Sequence, residues 1–340
     1  MARSSGARRA ITRDTPLGHA LIAGVLVAAI AAFATTLHSG FVRLDVACAF
    51  IALIGVGELL QVRLPGDRPA APIAASGALG YGLLFAVGGK PVAQTTAQVL
   101  CVVAAGCLLG SVVQTAAGRR PRLSFVARRV VAAVVASIAF RATAPHNLTT
   151  LPFAQYKQDL RWVALLMVAV VALVGVIDII VAAAVRSSGR AAVFGWTLRD
   201  EVGAGAGLWA AVGATGILTA LATPSMQLYA LPTFCVPLLL TQFAFRRYAA
   251  IRTTYRQTIR SLSRVTEVGG YVEDGHAHRV SVLAVAVGRE LGLAESEIVD
   301  LEYAALLHDI GQLSLTDPIP GGSTLVVAPV ERRRVAELGA

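Results

Sequence analysis

Lysine is almost missing from this chain: Lys90 and Lys157 are the only two in 340 residues, and the net charge of +10 is carried by arginine. Charge of any kind is scarce. Charged residues make up 15%, against about 25% in an average soluble domain, while 56% of the chain is hydrophobic. That shortage excludes an ordinary water-soluble domain over most of the length and points to a polytopic membrane protein with a smaller polar portion. Arginine in such a chain sets topology and meets lipid head groups, so the basic balance does not argue for a nucleic-acid duplex as partner. Cysteine is also sparse. Cys48, Cys101, Cys107 and Cys235 lie in apolar segments without C-x-x-C spacing, which argues against zinc or dithiol sites and reads as small core residues. The basic leader, residues 1–16, runs into a long apolar stretch with no small-residue cleavage site, so it precedes a first span and is not a removed signal peptide.

What the chain does contain is apolar length. Stretches near the ~20 residues that cross a bilayer occur at 17–37, 41–60, 73–88, 92–116, 126–144, 162–185, 207–222 and 228–245, within a membrane domain over 17–245. Eight crossings are expected, with 73–88 and 207–222 short and glycine-rich enough to be tilted, broken or re-entrant. Arginines cluster before the first stretch and after the second, fourth, sixth and eighth, while the alternate loops are poor in them. The positive-inside rule then places both termini in the cytoplasm of a plasma-membrane protein. Glu58 and Asp178 are acids inside apolar stretches, which is costly without a partner or water. They read either as an ion path or sensing pocket, or as structural acids neutralised by Arg63 or Arg186. Gly106 with Gly110, and the run from Gly203 to Gly207, fit small-xxx-small packing, although 32 glycines produce that spacing by chance.

Residues 246–268 change character. Tyr248, Ile251, Tyr255, Ile259, Leu262 and Val265 recur at helical spacing with arginine and threonine between them. The reading is a helix leaving the membrane, which either pairs with a second copy as a short coiled coil or lies on anionic lipid. Gly269-Gly270 ends it and a polar domain, 269–340, begins. There the expected buried face of a first helix is Val280, Leu283, Ala284, Val287 and Leu291, with His276 one turn before it and Gly292 as its stop. A second stripe runs through Glu297, Ile298, Leu301, Ala305 and His308, with Asp309 next to His308. Neutral imidazole and carboxylate are both common metal ligands, so His276, His308 and Asp309 are candidate ligands for a divalent ion. His278, two positions after His276, points elsewhere.

The segments His276-Ala277-His278-Arg279-Val280 and Leu306-Leu307-His308-Asp309-Ile310-Gly311 resemble the HD superfamily of metal-dependent phosphohydrolases, closest to its HDIG and HD-GYP branch in membrane-anchored form. The resemblance covers roughly 265–340. It implies a partial, α-helical HD domain, which after the eight expected membrane helices makes the chain all-α throughout. It also implies a divalent metal (iron, manganese, magnesium or similar) held by His276, His308 and Asp309. Asp309 would additionally orient or deprotonate the attacking water, and a nucleotide phosphodiester is the implied substrate. Arg279 and Gln312 are the candidate substrate contacts. Departures from the family pattern are specific. Gln312 stands where HD-GYP proteins carry lysine, and Val335 stands where they place a further metal-binding histidine. Asp317, Glu331 and Glu337 are the only later acids, none in the context of the family's distal aspartate, so the HD domain is expected to be incomplete in this chain. The alternative expectation is a non-catalytic membrane sensor with a degenerate HD domain.

Overall fold

The computed structural model describes residues 15–64, 68–119, 121–145, 148, 160–188, 194–315, 319 and 328–339. Among the described residues the fold is all-α apart from two small hairpins, and the chain divides into two compact units, Met1–Ala244 and Phe245–Ala340.

The first unit begins with α1 (Pro16–Ser39), whose entry is set by Thr15: its hydroxyl accepts from the Gly18 amide 3.2 Å away, with Pro16 at the first helical position. It continues with α2 (Leu44–Leu59), the hairpin β1 (Val62–Leu64) and β2 (Arg68–Ala70), and α3 (Pro72–Gly82). A second hairpin, β3 (Ala86–Val87) and β4 (Lys90–Pro91), leads to α4 (Thr96–Ala116), α5 (Leu123–Thr143), α6 (Leu160–Ser187), α7 (Phe194–Met226) and α8 (Ala230–Val268). Among the described residues, five helical stretches are long and apolar enough to cross a membrane: α1, α4, α5, α6 and the stretch Gly205–Val268. The eight apolar stretches of the sequence are therefore not eight long helices. The outward side chains of α1 and α6 (Val27, Ile30 and Leu37; Leu165, Val168 and Val176) are exposed and apolar, as a lipid-facing surface requires.

The stretch 73–88 is broken. Its helix, α3, has 11 residues, a length of ~16 Å, about half the hydrocarbon core of a bilayer. Every residue of α3 except Ala75 is buried, and it packs against α2, α4, α5 and α7. Gly57 faces Ala74, Gly77 faces Leu53 and Ile54, and Tyr81 stacks on Phe50, so α3 runs back along α2. The β3–β4 hairpin completes the return, because the Gln98 amide at the start of α4 donates to Gly40 O just before α2. Non-helical backbone at that depth survives because its polar groups are met from within. Gln94 donates to Tyr81 O, and the amides of Gly88 and Gly89 donate to Thr223 O and Pro224 O on α7. Pro224 supplies no amide to Ala220 O, and the Thr223 hydroxyl donates there instead. The stretch 207–222, by contrast, lies inside the 33-residue α7 and is unbroken.

Of the two glycine patterns, one packs and the other does not. Gly106 and Gly110 lie against Ile54 and Glu58, leaving no room for a Cβ between α4 and α2, while Gly203, Gly205 and Gly207 have no neighbour within 4 Å of a Cβ position. Cys101, Cys107 and Cys235 are buried as expected, but Cys48 is exposed.

The acids inside the bundle are paired, with partners other than those expected. Glu58 is ion-paired with Arg129, and Asp178 takes a bidentate pair from Arg128 (Nε–Oδ1 3.0 Å, Nη2–Oδ2 2.6 Å) and a hydrogen bond from Trp209 Nε1 at 3.0 Å. Arg186 pairs instead with Asp200 and Glu201 of α7. Arg63, the other expected partner, has its side chain outside the described residues. Arg128 and Arg129 lie in the first two turns of α5 and pair with acids on different helices.

In the second unit, α8 continues to Val268 and stops at Gly269-Gly270, where Gly270 takes φ +74°. Ile259, Ser263 and Thr266 face inward, and Arg256 and Arg260 both pair with Glu302. Tyr248, Ile251, Tyr255, Leu262 and Val265 remain exposed. Then follow α9 (His276–Glu290), α10 (Glu295–Leu307), a 3₁₀ turn (Ile310–Ser314) and α11 (Pro329–Gly339). The expected buried face of α9 is displaced. Leu283, Val287 and Leu291 are exposed, and the packed residues are Ala277, Ser281 and Gly288. The reason is close helix approach: a Cβ on Gly288 would meet Ile298 and Leu301 of α10 at 2.9 and 2.8 Å. Small residues win the seam because they let the two backbones come together.

Replacing Arg129 by leucine leaves Glu58 buried and unpaired, and is expected to destabilise the first unit by about 3–5 kcal/mol. Replacing both residues by apolar ones of similar size should restore most of the loss. Thermal unfolding of the detergent-solubilised chain measures both, and an R129L midpoint equal to the parent's would show that the pair carries no such weight.

Candidate metal centre

Two helices and a turn bring the three residues together. Gly275, at φ +73°, turns the chain into α9 so that His276 is its first residue. The Gly288 contact brings the far end of α9 against Ile298 and Leu301, so α9 and α10 run antiparallel and His276 returns beside His308. His308 closes α10, and Asp309 opens the 3₁₀ turn with its side chain only 9% exposed. Asp309 is thus the buried member, and His276 and His308 stand at the rim, each a little over one third exposed.

The three ligand atoms form a tight triangle. His276 Nε2 lies 3.3 Å from His308 Nε2, His276 Nε2 lies 3.2 Å from Asp309 Oδ2, and His308 Nε2 lies 2.9 Å from that same oxygen. An ion ~2.1 Å from two ligands at right angles separates them by about 3.0 Å, so the triangle has the size of one face of a coordination shell. His308 Nδ1 is 2.9 Å from Ala305 O, a partner that takes a proton on Nδ1 and leaves the Nε2 lone pair facing the triangle. Asp309 Oδ2 is buried and accepts no hydrogen bond among the described residues, although both imidazoles crowd it. The His308 lone pair and the Asp309 Oδ2 it faces repel each other unless a positive charge sits between them, and a proton or a divalent cation satisfies that need.

The remaining expected residues are placed differently from one another. Gln312, read as a substrate contact, is fully buried, and its amide donates to Asp309 Oδ1 at 2.7 Å. Its position behind Asp309 makes it a group that orients the aspartate. Asp309 then has Oδ1 held by Gln312 and Oδ2 turned toward the two imidazoles, which suits a ligand better than a general base. Arg279 is exposed and paired with Glu273 Oε2 (3.2 Å) and Asp274 O (2.7 Å), one turn from His276. His278 is exposed, and Val335 is buried on α11, which packs against the 3₁₀ turn that follows Asp309. Asp317 falls outside the described residues. The orienting roles of Gln312 and Ala305 O left no signal in the sequence, since both depend on the turn after α10.

The chain matches no protein-family model, no curated protein and no solved structure.

Protonation and a divalent ion would compete for this triangle. The Asp309 carboxylate raises the pKa of His308 above its ordinary 6.5, against an opposing effect of burial. Burial pushes the Asp309 carboxyl up, but His308, Gln312 and His276 together hold it below its usual value. Without metal, the protonated His308–Asp309 pair contributes stability that is complete below the unfolded pKa of histidine and is lost as pH rises through the raised value. A divalent ion must displace that proton. The rise in thermal midpoint on adding Mn²⁺ is therefore expected to be small near pH 5 and to grow toward pH 8, and a pH-independent rise would contradict competition at this site.

Proposed function

We propose that the second unit is a metal-dependent phosphohydrolase unit of HD type, borne on a polytopic membrane domain and acting on a phosphodiester of the cyclic-dinucleotide class. The observation that carries the reading is the triangle of His276 Nε2, His308 Nε2 and Asp309 Oδ2, with edges of 2.9–3.3 Å. Two histidines and one carboxylate on one face leave the opposite positions open to water and substrate. A divalent cation of the iron, manganese or magnesium kind, when bound, supplies Lewis-acid polarisation of the phosphoester. Gln312 fixes the plane of Asp309, Ala305 O fixes the tautomer of His308, and Arg279 offers an exposed guanidinium within a turn of His276.

A second reading, a non-catalytic sensor whose HD unit binds metal without turnover, is favoured by Gln312. The family's lysine at that position supplies a charge for phosphate, whereas this amide is buried on Asp309. The two readings separate on hydrolysis of bis-p-nitrophenyl phosphate and of a cyclic dinucleotide by the full chain with Mn²⁺. Hydrolysis that falls by about a hundredfold or more in H276A, H308A and D309N supports the enzyme. Mn²⁺ binding without hydrolysis supports the sensor, and hydrolysis surviving all three changes removes the site assignment.

For the membrane domain, the proposal is eight crossings with both termini cytoplasmic, α3 with the β3–β4 hairpin forming the third. The antiparallel return of α3 along α2 and the alternation of arginine-rich loops support it. A second copy of the chain, docked along Tyr248, Ile251, Tyr255, Leu262 and Val265, is the partner that the heptad spacing suits. A reporter fused after Ala340 should be active only in the cytoplasm, and periplasmic activity would overturn the topology.

A further inference from the structure

A half-open cavity of about 140 Å³ lies in the first unit between the β2–α3 corner, α5, α6 and α7. Packed helices close most such gaps, so a space of this size has a cause. Its cause is small residues at facing positions: Ala75 on α3, Ala132 on α5 and Gly205 on α7. Larger side chains there would close it. Phe125 and Trp209 supply aromatic walls, and Arg128 and Asp178 form a polar end.

The chemistry of the lining limits the occupant. Every charge on the wall is already balanced: Arg128 by Asp178, Arg129 by Glu58 and Glu201 by Arg186. A charged guest would find no unpaired counter-ion on this wall, whereas an uncharged one needs none. Arg128 spends Nε and Nη2 on Asp178, and its Nη1 has no hydrogen-bond partner among the described residues. That edge is a donor in search of an acceptor. For scale, an apolar cavity of roughly 150 Å³ admits one benzene ring.

We infer that this cavity is a binding site for an uncharged, ring-sized molecule bearing a carbonyl or phenolic oxygen. The ring lies between the alanine wall and the aromatic side chains, and its oxygen accepts from Arg128. The site uses no residue of the second unit, so it stands or falls independently of the metal centre.

The test uses the full chain in lipid nanodiscs with Trp162 and Trp196, both exposed, replaced by phenylalanine so that Trp209 is the sole tryptophan and is excited selectively over tyrosine. Benzaldehyde is the probe, toluene the control without an acceptor, and benzoate the charged control. Saturable quenching of Trp209 by benzaldehyde is expected, with toluene competing about tenfold less well and benzoate not at all. Ala75→Leu should weaken the probe by about tenfold or more with an unchanged thermal midpoint. If that variant misfolds, Gly205→Leu serves, since a Cβ there meets nothing within 4 Å. Quenching that rises linearly in every variant would mean partition into the bilayer and overturn the site. Equal binding of benzoate would overturn the uncharged guest. Quenching by brominated acyl chains that Ala75→Leu abolishes would assign the cavity to lipid and overturn the inference.

Discussion

An ionised side chain inside an apolar bundle has to meet an opposite charge, and the first unit is arranged around that requirement. Adjacent residues of α5, Arg128 and Arg129, point about 100° apart on the helix and so reach two different neighbours. Arg129 neutralises Glu58 at the end of α2, and Arg128 neutralises Asp178 on α6, where Trp209 of α7 adds a donor. Four helices are thereby joined at one level of the bundle. Arg186 ties α6 to α7 a further two turns along through Asp200 and Glu201. Pairs of this kind need not add net stability over an apolar core, but each makes other registers costly, because a slipped helix would bury a bare charge.

The same accounting applies to backbone groups at α3. A helix of half the membrane's thickness exposes its ends, and the hairpin after it exposes more. Here Gln94, Thr223, Pro224 and the glycine turn at Gly88 and Gly89 absorb those groups. The small residues that open the cavity, Ala75, Ala132 and Gly205, lie toward the other end of α3 and α7 from that hairpin.

In the second unit, small residues again decide the geometry. Gly288 sets how closely α9 approaches α10, and that approach carries His276 to within 3.3 Å of His308. The periodicity of α9 alone selects Leu283, Val287 and Leu291 as its buried face, because they are its largest apolar residues. Packing selects the smaller ones, leaving the large ones outward. Helix limits were legible, since Gly269-Gly270, Gly275 and Gly292 mark breaks where φ turns positive. The three metal-ligand candidates were legible as well, through residue type and spacing. The place of Gln312 was not, because whether its amide turns to substrate or to Asp309 depends on a 3₁₀ turn that no periodicity announces.

Composition and spacing by themselves determined that this is a helical, membrane-embedded chain with a polar C-terminal portion, and singled out His276, His308 and Asp309 as candidate metal ligands. Those features are local: apolar length, helix stops and residue type act within a few turns of the chain. Only the tertiary structure decided which arginine answers Glu58 and Asp178, that the stretch 73–88 is a half-helix with a hairpin, which face of α9 is inward, and how the three ligand atoms form one triangle. Each of those depends on residues far apart in sequence sharing a volume too small for a wrong charge or an extra methyl group.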